Sequence, residues 1–258
     1  MKLAITGKGG VGKTTLSALL AQAYADAGRQ VLAVDADPSP CLAGALGFPP
    51  ELRAKLHPIA EMDALIEERT GAKPGTMGGF FTLNPRVDDI PERFSVTHQG
   101  VRLLEMGSVD MGGSGCICPE SAMLKTLFTH LLFRKDDVLI LDMYAGVEHL
   151  GRATVDFVDA MIVVVEPTRR SLGTAEQIKR LAHDIGLNRL WLVGNKVRNE
   201  EEATFLRSET PGLPVLGFLH ADLAVQEADR LGIPVYQHVP ALRQAANEMA
   251  QKIVDAHL

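Results

Sequence analysis

The chain has 258 residues, 46% hydrophobic and 22% charged, with 26 Lys+Arg against 32 Asp+Glu and a formal net charge of −6. These proportions belong to a soluble globular protein and exclude a disordered chain or a fibre, while three cysteines are too few for a disulfide scaffold. The mild acidity disfavours non-specific binding to DNA or anionic membrane, and the longest apolar runs fall far short of the roughly 20 residues that span a bilayer.

The N-terminus has one Lys and runs straight into a glycine loop without a signal peptide, so a cytoplasmic location is expected. Strand-length apolar runs follow in chain order at Leu3–Thr6, Val31–Asp35, Val101–Met106, Val138–Asp142, Met161–Val165, Leu190–Asn195 and Pro214–Leu219. Their hydrophobicity is continuous, as strands buried on both faces require. Helical patterns lie between them: Thr14–Ala27, Glu120–Phe133, Leu172–Ile185, Asp222–Arg230 and Pro240–Ala256, several closed by glycine. The expected fold is therefore α/β, a doubly wound and mostly parallel sheet with helices on both faces. The rhythm fails between Cys41 and Gly100, where Pro and Gly interrupt one helical piece near Glu61–Thr70. We read the chain as a single domain over 1–258 with an irregular insertion at about 41–100.

The first strand leads into Gly7-Lys8-Gly9-Gly10-Val11-Gly12-Lys13-Thr14, a complete phosphate-binding loop between a strand and a helix. Amides of Gly9, Gly10, Val11 and Gly12 through Thr14 and Thr15 are expected to converge on the phosphates, with Lys13 on the β and γ oxygens and Thr14 on Mg²⁺. After the second strand, Asp35 and Asp37 share one face of an extended segment, placed to support the metal shell and the attacking water. Val138–Asp142 ends four apolar residues in an acid, the Walker B pattern, so Asp142 completes the Mg²⁺ site. Asn195 and Lys196 close another strand, and Asn195 can pair with a purine edge. Leu219, Ala221 and Asp222, after the last strand, are expected to contact the base. Arg198 stands where a GTPase would carry Asp, which favours ATP over GTP.

A second lysine, Lys8, makes this loop resemble the deviant Walker A of the SIMIBI class of P-loop ATPases, the MinD/ParA-like group. The resemblance implies that Lys8 reaches across a homodimer to the partner's nucleotide, and that Asp37 positions the attacking water. It also implies that Gly146, within Ala145-Gly146-Val147-Glu148-His149, senses the γ-phosphate, and that Asn195 reads adenine. Lys8, Lys13 and Asp37 are thus the expected catalytic set.

The loop Gly112-Gly113-Ser114-Gly115-Cys116-Ile117-Cys118-Pro119-Glu120 delivers two thiols just before a helix whose first position suits Pro119. The helix N-terminus favours thiolate at Cys118. Two thiolates cannot close a tetrahedral soft-metal site, but two copies in a symmetric dimer supply four. With Asp35-Ala36-Asp37-Pro38 and Glu166-Pro167-Thr168-Arg169-Arg170-Ser171, this loop resembles the CooC family of nickel-insertion ATPases, which mature carbon monoxide dehydrogenase, and relatives serving acetyl-CoA synthase. That likeness implies Ni²⁺ or Zn²⁺ at Cys116 and Cys118, ATP/ADP with Mg²⁺, and the client enzyme as partner, with no nucleic acid or membrane. Cys41 is read as a small core residue.

Two alternatives stay open. An iron-protein-like ATPase would bridge its chains with an Fe–S cluster, which four cysteines from two C-x-C pairs could hold. A positioning ATPase of the MinD/ParA kind would need a basic amphipathic surface. The last helix offers only Arg243 and Lys252 beside Leu242, Ala246, Met249 and Ile253, so that stripe is read as core packing.

Overall fold

The computed structural model describes residues 1–75, 80–107, 118–131, 138–144, 158–210 and 212–257. Its strands are β1 (Lys2–Gly7), β2 (Val31–Ala36), β3 (Val96–His98), β4 (Val101–Glu105), β5 (Val138–Met143), β6 (Ala160–Val165), β7 (Leu190–Val197) and β8 (Val215–His220). They form one eight-stranded sheet in the order β3-β4-β2-β5-β1-β6-β7-β8. Every pairing is parallel except β3 with β4. The helices are α1 (Lys13–Asp26), α2 (Leu42–Ala45), α3 (Pro50–Arg53), α4 (Asp63–Thr70), α5 (Ile90–Phe94), α6 (Pro119–Leu131), α7 (Arg169–Asp184), α8 (Glu200–Glu209), α9 (Leu223–Leu231), α10 (Val235–His238) and α11 (Pro240–His257).

Side chains alternate across the central strands and feed two cores. Leu3 and Ile5 of β1 face α1 and α11, together with Leu16, Leu20, Leu242, Ala246, Met249 and Ile253. Ala4 faces the other way, into a core that includes Leu124 and Leu127 of α6 and Ile178 of α7. The apolar stripe of α11 is therefore core packing.

The described residues of 41–100 form several short elements. They hold α2 to α5, one 3₁₀ turn at Ile59–Glu61, and β3. Ile59, Ile66, Val87 and Ile90 enter one core, and Leu42, Leu46, Phe48 and Leu56 the other. Each piece is short, so periodicity alone carries little signal. The hairpin from β3 to β4 turns through Gln99 and Gly100, both left-handed at φ 46° and 80°. The sequence reading also lacked α8, which buries only Ala203 and Leu206. What starts α8 is its cap: the Asn199 side chain accepts from the Glu202 amide, and Glu200, Glu201 and Glu202 crowd the first turn, where the helix dipole favours acids. Among the described residues no helix is long and apolar enough to cross a membrane.

Gly194 lies in β7, where a Cβ would meet Leu206 Cδ1 and Phe218 Cδ1, both at 2.6 Å. Gly194→Ala is expected to destabilise the chain by about 1–3 kcal/mol through overpacking, read as a lower urea midpoint at unchanged m-value.

Candidate nucleotide and metal site

The parallel register brings the ends of three strands together. β1 runs into the glycine loop, its Ile5 lies opposite Asp142 of β5, and Asp35 of β2 lies opposite the same Asp142. Ligands bind beyond the carboxyl ends of such strands, and this is the edge where the expected phosphate, metal and switch residues gather.

The loop has the backbone conformation that close approach to a phosphate requires. Gly10 and Gly12 are left-handed, at φ 80° and 93°. A Cβ on Gly12 would meet Asn195 Nδ2 at 2.1 Å, so only glycine fits there. Gly12 is also the N-cap of α1 and supplies no side chain, which leaves the first amides of the helix free for an anion. Lys13 is 8% exposed, with Nζ 3.5 Å from the Lys8 carbonyl oxygen. Burial pulls its ammonium below the usual lysine range, against the raising influence of Asp142 and Asp37. A phosphate beside this desolvated ammonium would supply the opposite charge that favours its protonated form. Lys8, Gly9 and Gly10 are exposed; Thr14 and Thr15 are half-buried.

Asp142 is 2% exposed and accepts a hydrogen bond from Ser17 Oγ at 3.2 Å. Burial pushes its carboxyl up to about 7, opposed by a hydrogen bond from Thr14 and assisted by the nearby charge of Asp35. Asp35 is fully buried. Its two oxygens accept from the amides of Asp37 (3.1 Å), Cys41 (2.9 Å) and Leu42 (2.9 Å). It therefore shapes the chain leaving β2, and Asp37, half-buried, is carried on that turn. Thr14, Asp37 and Asp142 are hard oxygen donors beside a phosphate cradle, the chemistry that suits Mg²⁺. Among the described residues, no cluster of three or more His, Cys, Asp or Glu forms a separate metal site.

Asn195 is placed against the loop. Its Nδ2 donates to the Val11 carbonyl at 2.7 Å, and its Oδ1 accepts from the Lys196 amide at 2.8 Å. Lys196 Nζ donates to the Gly10 carbonyl at 2.8 Å. Arg198 is held by Glu202 through both its amide and its guanidinium. Leu219 is buried at the end of β8, the Ala221 amide donates to the Val197 carbonyl, and Asp222 caps α9 by accepting from the Ala224 amide.

Cys118 is half-buried just ahead of α6, with Sγ 3.0 Å from Ser121 Oγ. Cys116, Gly146, Glu148 and His149 lie outside the described residues. Cys41 corrects an expectation: it is exposed, not core. The three amide bonds to Asp35 turn the chain so that Leu42, Ala43 and Leu46 point inward while Cys41, at the N-cap of α2, faces out.

Residues 2–235 match the family described as the CobQ/CobB/MinD/ParA nucleotide binding domain. The chain belongs to that MinD/ParA family. It is 45% identical, over 99% of its length and 97% of the relative's, to the carbon monoxide dehydrogenase accessory protein CooC of Rhodospirillum rubrum. An uncharacterized ATP-binding protein of Methanocaldococcus jannaschii is 46% identical over 91% of both chains. Among solved structures, a chain of the MinC:MinD cell division protein complex of Aquifex aeolicus superposes with a TM-score of 0.73 at 19% identity, covering 98% of this chain and 95% of that one. That likeness concerns the fold. The protein is thus a MinD/ParA-family ATPase, with ATP or ADP and Mg²⁺ as the ligands its nucleotide site takes.

Two residues of this ATPase site escaped the sequence reading. Ser17 lies one helical turn beyond Thr14, a spacing that could have placed it on the same face. Glu105 ends β4 opposite Asp35, and burial together with the charges of Asp35 and Glu61 pushes its carboxyl up to about 7. Nothing in the local sequence marks it, because the register is a long-range property.

The raised Asp142 sets a pH dependence for the ligand-free ATPase. Between about pH 4 and pH 7 the folded chain keeps a proton on Asp142 that the unfolded chain has released, so stability declines as pH rises through that window and levels off above it. The melting temperature is expected to be lower at pH 8 than at pH 5.5. Asp142→Asn, a permanently neutral isostere, is expected to melt above wild type at pH 8 and to show a shallower decline, leaving the shares due to Glu105 and Asp35.

Proposed function

We propose that this ATPase is a nucleotide-driven metal-delivery factor that loads nickel into carbon monoxide dehydrogenase or acetyl-CoA synthase. The observation that carries the reading is the place of Cys118. β4 ends on the sheet edge that carries the nucleotide site, and Cys118 stands immediately before α6, the next described element of the chain. The 45% identity with a carbon monoxide dehydrogenase accessory protein supports the choice of client.

In this mechanism two chains close face to face. Each contributes Cys116 and Cys118, and the four thiolates hold one Ni²⁺ or Zn²⁺ as cargo, releasing protons as they bind. Amides of Gly9 to Thr15 and the ammonium of Lys13 bind the phosphates. Thr14, Asp37 and Asp142 would hold Mg²⁺, which would supply charge neutralisation for the phosphates. Lys8 extends from its exposed loop position to the partner's nucleotide, Asp37 orients the attacking water, and Gly146 registers the γ-phosphate. Asn195 and the backbone of Leu219–Asp222 accommodate adenine. Because metal and ATP both bind the closed dimer more tightly, each raises the affinity for the other, and hydrolysis releases both.

Anaerobic titration of the reduced protein with Ni²⁺, with mass followed by light scattering, is expected to give one metal per dimer. Cys116→Ala/Cys118→Ala is expected to lose the metal. ATP-driven dimerisation indifferent to metal and to both cysteines would overturn the reading in favour of a positioning ATPase. Iron and sulfide bound at four cysteines would favour electron transfer instead.

A charge that acts across the dimer, as an arginine finger does, contributes to turnover far more than to binding. Lys8→Gln is therefore expected to lower kcat by about a hundredfold or more while the ATP dissociation constant changes by less than about threefold. Steady-state turnover and equilibrium titration on the same preparation check the split.

A further inference from the structure

The outer side of the phosphate loop poses a problem that the phosphates do not solve. If the amides of residues 9–14 converge inward, the carbonyls of the loop point outward and need donors of their own. Two of those carbonyls are satisfied by one dipeptide: Val11 by Asn195 Nδ2 at 2.7 Å and Gly10 by Lys196 Nζ at 2.8 Å.

Lys196 is built for this. It is one of two non-glycine residues with positive φ among the described residues, at 58°, a conformation uncommon for a lysine. The pairing of β7 with β8 slips between Asn195 and Val197, so Lys196 is bulged out of the ladder. Bulges re-aim side chains, and this one turns a lysine back from the end of β7 over the loop at the end of β1. Glu166, at the end of β6, holds the same ammonium at 2.5 Å. Glu166 is itself fixed, its amide donating to Ser171 Oγ at the start of α7. The ammonium thus ties the ends of three strands to the back of the loop.

We propose that Lys196, positioned by Glu166, is a tether that holds the phosphate loop in its amide-inward form, and that it touches the loop backbone and not the base. The half-exposed ion pair contributes little to folding by itself, so its value lies in the conformation it imposes on Gly10 and Val11. This role is independent of the metal reading, because the nucleotide site alone requires it.

The test compares Mg²⁺-ATP with Mg²⁺-tripolyphosphate, which has the phosphates and lacks base and ribose, by competition against a fluorescent ADP analogue. Lys196→Met is expected to weaken both by about tenfold, the size of one lost charge-assisted hydrogen bond. Lys196→Gly, which relieves the left-handed strain but also lacks the donor, is expected to show the same loss without a lower melting temperature. Glu166→Gln, which keeps an acceptor but no charge, is expected to cost both probes about threefold. A loss confined to ATP would overturn the tether and make Lys196 a base or ribose contact. Unchanged affinity for both probes would also overturn it, as would a loss that tracks a fall in melting temperature across the variants.

Discussion

The site depends on one geometric constraint: a parallel sheet delivers all of its carboxyl ends to the same edge. With β1 between β5 and β6, and β2 beyond β5, the glycine loop, Asp142, Asp35 and Glu166 arrive together without any of them being near in sequence. Continuous apolar strands make this possible, because both faces must be buried before such a sheet is stable. Helices α1 and α11 cover one face and α6 and α7 the other, and the edge between those layers is left for ligand.

Packing at that edge is unusually charged for a region so deeply buried. Asp35, Asp142 and Lys13 are all nearly inaccessible, and burying ions costs several kcal/mol each unless partners repay it. For Asp35 three backbone amides repay part of it, while burial still pushes its carboxyl above the ordinary aspartate range. For Asp142 and Lys13 it is incomplete, as their displaced titration indicates. At a site left under-neutralised in this way, Mg²⁺ and polyphosphate would supply the missing charges. The same shortage keeps the ligand-free chain less stable than it could be, a common exchange of stability for function.

What could be read from the sequence follows the range of the physics involved. Strand positions and the loops that end them are local patterns, so the glycine loop, the acids at positions 35, 37 and 142, and the helix stops by Gly28, Gly186 and Gly232 were legible. Cys41 was misjudged because its neighbours have helical spacing, whereas its outward turn is imposed by hydrogen bonds to Asp35, six residues earlier. Glu105 was invisible, because its neighbour is brought by register; Ser17 was legible only through its helical spacing from Thr14. Helix α8 failed differently. It begins on a cap and an acidic turn, with too little apolar surface to raise a periodic signal.

The residues 41–100 show how an apparent interruption can serve the site. Gly75 donates its amide to Glu120 Oε1 at 2.7 Å, and Thr126 Oγ1 reaches the Leu83 carbonyl, so this stretch grips the helix that begins beside Cys118. Its other end begins with Cys41 and Leu42, whose amides bind Asp35 behind the expected water-positioning turn. One continuous stretch therefore contacts both the acid that organises the nucleotide edge and the helix that carries a thiol. Hydrogen bonds at both ends, from the Cys41 and Leu42 amides to Asp35 and between Gly75, Leu83 and α6, thus tie the turn after β2 to the start of α6 through parts of the chain far apart in sequence.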